Sequence, residues 1–383
     1  MDKEIYYKLA RYLDRLPAGY PETKSGVEIS ILRHLFTPKE AELALHLTLI
    51  PEAPRVVAHR AGISLEDAEM QLQEMDEKGL IFSIRQKNGE TYYRIQQFAI
   101  GFWEGQVNKL YPELIHDYEE YLDTFIDLDL WEKIPQIRTI PVEESISVDS
   151  LVLPYEHAEE IVKTQTVLAL NNCICRQEMH LIGKGCDRPV ESCLSFGQAA
   201  ERSIRQNRGK SITHEEAIEI LRQAEKDGRV LQTTNARKVL FICTCCSCCC
   251  AVLRTIKLDP HPAQRMSSPF ISSLNADTCM TCEICVDRCP MDAIVSENGT
   301  VALNINRCIG CGLCISTCPT GSLTLRRKAK AKQSYVPKTL LGTYLRLGHI
   351  SGRMKLALFI LLKFRSMTDR LKTSRMVGSI IKF

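Results

Sequence analysis

Two stretches of this sequence repeat one spacing. CMTCEICVDRCP sets Cys279, Cys282, Cys285 and Cys289 ahead of Pro290, and CIGCGLCISTCP sets Cys308, Cys311, Cys314 and Cys318 ahead of Pro319. Both read C-x2-C-x2-C-x3-C-P. The chain holds 18 cysteines in 383 residues, none before Cys173 and none after Cys318. A disulfide scaffold is normally shorter and follows a signal peptide, whereas MDKEIYYKLARYLDRL is charged from its second residue and has no apolar run. A reducing, cytoplasmic setting is therefore expected, and there clustered thiols are more often metal ligands than disulfides.

Residues 275–325 carry both runs and resemble the bacterial-type dicluster ferredoxin domain. In that family each run gives three thiolates to one [4Fe-4S] cube and its fourth to the other. The resemblance implies two clusters, the first on Cys279, Cys282, Cys285 and Cys318 and the second on Cys308, Cys311, Cys314 and Cys289. Close-spaced cysteines on a tight loop converge on three corners of a cube, while the fourth, just before a proline, points away. Gly310 and Gly312 let backbone N–H groups approach the second cluster, but Thr281 and Glu283 stand at those places in the first run. Unlike surroundings imply unlike reduction potentials, because hydrogen bonds to sulfur and nearby charge set them.

Ten cysteines remain. CICRQEMHLIGKGCDRPVESCLSFG holds Cys173, Cys175, Cys186 and Cys193, and CTCCSCCC packs Cys243, Cys245, Cys246, Cys248, Cys249 and Cys250 into eight residues. Buried packing is one reading, since a free cysteine behaves as a small hydrophobe. A zinc site on the first four is another. Six thiols in eight residues favour soft-metal binding, so the two groups are expected to share a further iron–sulfur cluster, with zinc as the alternative. A capped helix and chain reversal in SITHEEAIEILRQAEKDGRVLQTTN predict a helical hairpin that brings the groups together. Arg176 and Lys184 are the candidates to balance thiolate charge, while His180 and His214 read as surface or capping residues. The C-x-C-R run, the G-C-x-x-P-x-x-x-C-L-x-F-G run and the octet together resemble anaerobe-type multi-cluster ferredoxin-like proteins. That resemblance implies electron transfer without naming a substrate.

The remaining sequence frames this centre. Residues 1–98 show helical periodicity, a Ser64 cap and an Asn88-Gly89 hairpin, and resemble a winged helix-turn-helix domain. Its candidate recognition helix, Ser64 to Lys78, carries six acids and one lysine, which argues against DNA and for protein docking. Residues 99–150 read as an acidic helical connector with a break near Pro112, 151–270 as the Cys-rich domain, 271–327 as the ferredoxin domain and 328–383 as a basic amphipathic tail. From Arg326 onward there are 15 Lys and Arg against one acid, Asp369, so the rest of the chain is net acidic. Leu356, Phe359, Ile360 and Lys363 fall at helical spacing in that tail, which suits an acidic partner, an anionic membrane surface or packing on the protein body. No apolar run is long enough to span a bilayer, and no nucleotide-binding, nucleophile-elbow or H-E-x-x-H motif is present.

The expected fold is α+β: a winged-helix-like domain, a mixed Cys-rich domain, a βαββαβ-like dicluster domain and a helical basic tail. The expected function is electron transfer between redox protein partners in anaerobic-type metabolism, in the cytoplasm or peripheral at the inner membrane face, with no nucleic acid bound. A redox-sensing regulator acting through the winged helix, or a redox enzyme subunit with a substrate-active middle cluster, are the alternatives.

Overall fold

The structure, a computed structural model, describes residues 2–147, 152–354 and 356–380. It has helices and several separate sheets, and it divides into two compact units: Met1–Ile126 with Tyr344–Phe383, and Asp127–Thr343.

The first unit opens with α1 (Asp2–Asp14), α2 (Val27–Leu35), α3 (Pro38–Ala44), α4 (Pro54–Ala61) and α5 (Leu65–Lys78). The helix starts have local causes. Thr37 and Glu40 form a capping box on α3, Pro54 opens α4, and Ser64 accepts the Asp67 N–H at the head of α5. β1 (Ile81–Arg85) and β2 (Thr91–Ile95) pair antiparallel across the Asn88-Gly89 turn, and a bridge joins Glu52 to Tyr93. α6 (Pro112–Phe125) begins at the proline where the sequence predicts a break. It packs on an aromatic core in which Trp103 stacks on Tyr118 at 3.8 Å.

The second unit is built on a six-stranded antiparallel sheet. In chain order it contains α7 (Leu128–Lys133), β3 (Ile137–Ile140), α8 (Ala158–Lys163), β4 (Leu168–Asn172), α9 (Ile174–Leu181), β5 (Glu191–Phe196), α10 (Gln198–Arg205) and β6 (Gly209–Ser211). Then come α11 (His214–Lys226), β7 (Val230–Thr234), β8 (Phe241–Cys245) and α12 (Ala251–Leu258). The strand order is β3-β7-β8-β5-β4-β6, every pair antiparallel. Ala217 and Leu221 of α11 and Leu253 and Ile256 of α12 join the sheet's core. Part of the extended run expected before α8, residues 148–151, lies outside the described residues.

The predicted helical hairpin between the two cysteine groups is not found. α11 does carry its Thr213–Glu216 capping box, but the segment after it is β7, buried along its whole length. VLQTT is rich in β-branched residues and suits a strand covered on both faces. The cysteine groups meet because β5 and β8 are neighbours in the sheet.

After α13 (Pro262–Arg265), β9 (Phe270–Leu274) pairs with β12 (Leu323–Arg327), and β10 (Ile294–Glu297) pairs with β11 (Thr300–Leu303). α14 (Ile284–Arg288) lies in the first cysteine run, and turns over 313–317 occupy the second.

The chain re-enters the first unit at Tyr344, within α15 (Leu340–Ile350), and ends in α16 (Leu356–Ile380). α16 packs on α4. Asp369 accepts from Arg60 Nε at 2.7 Å, Arg60 also grips Glu52 through two bonds of 2.6 Å, and Arg370 donates to the Pro51 carbonyl at 2.6 Å. Phe359 is buried, while Ile360, Leu361, Phe364, Met367 and Leu371 are exposed. No helix among the described residues is long and apolar enough to cross a membrane.

Candidate functional site

The eight cysteines of the repeated runs surround two cavities in the second unit. One is lined by Cys279, Cys282, Cys285 and Cys318. The other is lined by Cys289, Cys308, Cys311 and Cys314. Each cavity thus draws three thiols from one run and the fourth from the other. The chain crosses over because β10 and β11 form a hairpin between the runs and the residue after each fourth cysteine is a proline.

The two sites differ in exposure. Met280, Cys282 and Ile284 are exposed in the first run, whereas residues 308–314 of the second are buried throughout. Donors reach the sulfurs of the buried site: the Ser272 N–H lies 3.4 Å from Cys308 Sγ, the Ser272 hydroxyl 3.4 Å from Cys314 Sγ, and the Ala293 N–H 3.1 Å from Cys289 Sγ. Burial pushes the Cys314 thiol up to about 12, and burial followed by Cys314 and Cys289 raises Cys311 well above the ordinary range. Such thiols ionise readily only beside compensating positive charge, which a bound metal centre provides. Lys328 faces Cys308; burial lowers its pKa and Cys308 counteracts that.

The ten middle cysteines sort into a group of six and a group of four. On β8, Cys243 and Cys245 are two residues apart and share a face. Cys243 sits in register with Cys193 of β5, and their sulfurs are 3.5 Å apart. The thiol of Cys243 interacts with that of Cys245, Cys245 with Cys250, Cys250 with Cys175 and Cys175 with Cys173. Gln232, paired with Cys243 across β7, approaches Cys245 and Cys250 through Oε1 at 3.5 and 3.9 Å. Partner thiols and burial together raise Cys243 and Cys245 well above the usual thiol range.

The other four are Cys186, Cys246, Cys248 and Cys249, whose sulfurs all lie within 4.8 Å of one another. The octet divides where the strand ends at Cys245: Cys246 and Cys249 join a separate small apolar cluster, and Cys250 returns to the six as the N-cap of α12. Arg176 is buried and donates to the Thr244 carbonyl at 2.6 Å and toward Cys246 Sγ at 3.7 Å. Lys184 is exposed. Arg188, which the sequence reading passed over, approaches Cys248 Sγ at 3.9 Å. Its position two residues after Cys186 would not have identified it. Burial opposes ionisation of Cys186, but the Arg188 backbone N–H and the thiols of Cys249, Cys248 and Cys246 hold its pKa down at about 6.

Residues 271–319 match the 4Fe-4S dicluster domain family. No curated protein and no solved structure matches the chain. A 4Fe-4S dicluster domain beside a dense group of cysteines points to iron–sulfur electron transfer.

Proposed function

We propose that the chain is an iron–sulfur electron carrier with two [4Fe-4S] clusters in its dicluster domain and a further cluster in the six-thiol group, passing electrons between protein partners. The observation that carries this reading is the pair of cavities, each lined by four cysteines in the three-plus-one arrangement. Cys279, Cys282, Cys285 and Cys318 would hold one cluster, and Cys289, Cys308, Cys311 and Cys314 the other. A [4Fe-4S] cluster bound there supplies a one-electron couple.

The chain's own contribution is spacing and insulation. Cys285 and Cys314, one from each quartet, share an apolar core, and Cys311 shares another with Cys245 and Cys250. Apolar packing therefore links the two quartets to each other and to the six-thiol group. Exposure of Met280, Cys282 and Ile284 favours exchange with a partner at the first quartet.

The first unit suits protein docking. Its order of helices, Glu52–Tyr93 bridge, α4, α5 and hairpin resembles a winged helix, yet Glu66, Asp67, Glu69, Glu74 and Glu77 of α5 all face solvent. Those charges would repel phosphate, and salt-dependent binding of the full chain to duplex DNA would count against this docking role.

Anaerobic purification followed by iron and sulfide analysis, with EPR of the reduced protein, tests the cluster assignment. About twelve iron atoms per chain are expected, falling to about eight when Cys175 and Cys250 become serine. A wild-type count near eight would remove the third cluster, and a lower count would sink the two-cluster reading.

A further inference from the structure

The group Cys186, Cys246, Cys248 and Cys249 differs in kind from the other thiol groups. Cys186 Sγ is 3.8 Å from Cys246 Sγ and 3.6 Å from Cys249 Sγ, and Cys249 Sγ is 3.9 Å from Cys248 Sγ. Four thiolates bound tetrahedrally to one zinc ion at about 2.3 Å have their sulfurs about 3.8 Å apart. Cysteines around a cube stand farther apart, because the cube's own edges lie between them. The same structure supplies the contrast: among the described residues, no other set of three or more ligand atoms is this compact, and the two dicluster quartets instead surround cavities.

The surroundings of this group also set it apart. Cys246 and Cys249 belong to a small apolar cluster with Met179, against which Ile182 and Cys186 pack, whereas Cys245 and Cys250 belong to the main core of the unit. Residues 182–190, between α9 and β5, have no regular structure, and so few apolar side chains stabilise such a loop little. A metal tying Cys186 to the turn that holds the other three cysteines would fasten the loop to the end of β8. All four ligand positions come from protein, which is the pattern of a closed structural site, with no position left for a substrate or water. Four thiolates on a divalent ion leave two negative charges. Arg176 at 3.7 Å from Cys246 Sγ and Arg188 at 3.9 Å from Cys248 Sγ stand where they can offset them. Arg188 is itself held by the Asp227 carbonyl, at 3.4 Å from Nε and 3.3 Å from Nη2.

We infer that Cys186, Cys246, Cys248 and Cys249 form a mononuclear structural zinc site, separate from the iron–sulfur centres. Binding forms four zinc–sulfur bonds and releases the protons of those thiols still protonated; no electron is transferred. The inference does not depend on the third cluster, because the two draw on different cysteines and different metals.

The test uses the full chain, purified anaerobically from cells grown with iron and zinc. Metal analysis should give about one zinc per chain, and zinc-edge X-ray absorption should show four sulfur neighbours at about 2.3 Å with no nearby iron. Changing the exposed Cys248 and half-buried Cys186 to serine together should lower zinc at least tenfold while iron content and the EPR signals stay unchanged. Wild-type protein without zinc, an iron neighbour in the absorption spectrum, or a folded double variant that keeps its zinc or loses iron instead would overturn the assignment. Should the double variant fail to fold, the wild-type zinc count and absorption spectrum decide alone.

Discussion

Gly310 marks how tightly the second cysteine run is packed. Its φ is 65°, and a Cβ there would stand 2.3 Å from the Phe270 carbonyl oxygen. The sequence reading assigned this glycine to backbone approach toward a cluster; the structure adds a second reason, the passage of β9. Thr281 and Glu283 take the same left-handed backbone in the first run, at φ 51° and 62°, but there both side chains are exposed, and Glu283 accepts a hydrogen bond from the Ser296 hydroxyl at 2.5 Å. Left-handed backbone alone costs a non-glycine residue about 1–2 kcal/mol. Gly299, at φ 72° with open space around it, isolates that cost. Gly310→Ala should therefore destabilise the second unit by about 3 kcal/mol or more, and Gly299→Ala by about 1–2 kcal/mol, in chemical denaturation of anaerobic protein. Equal losses would show that the contact with Phe270 costs nothing.

At the level of elements, α16 shows how a basic tail becomes part of a folded unit. Asp369, the lone acid after Arg326, docks it together with Arg370 and the buried Phe359. Arg60 has a side chain only 3% exposed, shared between Glu52 and Asp369. Removing Asp369 leaves a buried guanidinium with three of its four hydrogen bonds, two to Glu52 and one to the His46 carbonyl, and losing a hydrogen bond to a charged group costs about 1–3 kcal/mol. Asp369→Ala should lower the stability of the first unit by that amount and speed proteolysis of α16. Arg365→Ala is the control: its 3.9 Å pair with Asp369 is exposed and worth under about 0.5 kcal/mol. If the two variants are cut at the same rate, the Arg60 contact does not hold the helix.

For the whole molecule, the arrangement of α16 bears on where the protein works. With Phe359, Ser366, Asp369 and Thr373 turned inward, Ile360, Leu361, Phe364, Met367 and Leu371 are left as an outward apolar stripe near Lys363, Arg365 and Lys372. Exposed apolar side chains beside lysines and arginines suit the surface of an anionic membrane. We propose that this stripe gives the chain a peripheral membrane contact. In liposome flotation the full chain should rise with anionic vesicles, and Leu361→Ser with Phe364→Ser should reduce that at least tenfold, leaving the Asp369 contact intact. Failure of the unchanged chain to float on anionic vesicles would end this reading. Both ends of the chain belong to the first unit, so deleting the tail would remove part of that unit and could not make the same test.

Features that depend on near neighbours are legible in the chain: the Ser64 and Thr213 caps, the Asn88-Gly89 turn, the break at Pro112 and the spacing within each cysteine run. These are set by a few consecutive residues, and the pattern is visible as text. Only the tertiary structure decided which thiols face one another. Cys193 meets Cys243 through the register of β5 and β8, and the octet splits where a strand gives way to a turn. Gln232 and Arg188 reach thiols far from them in sequence for the same reason. Composition marked the tail as basic and amphipathic, but which stripe turns inward follows from Asp369, which brings the buried Arg60 a second carboxylate beside Glu52 from 309 residues away.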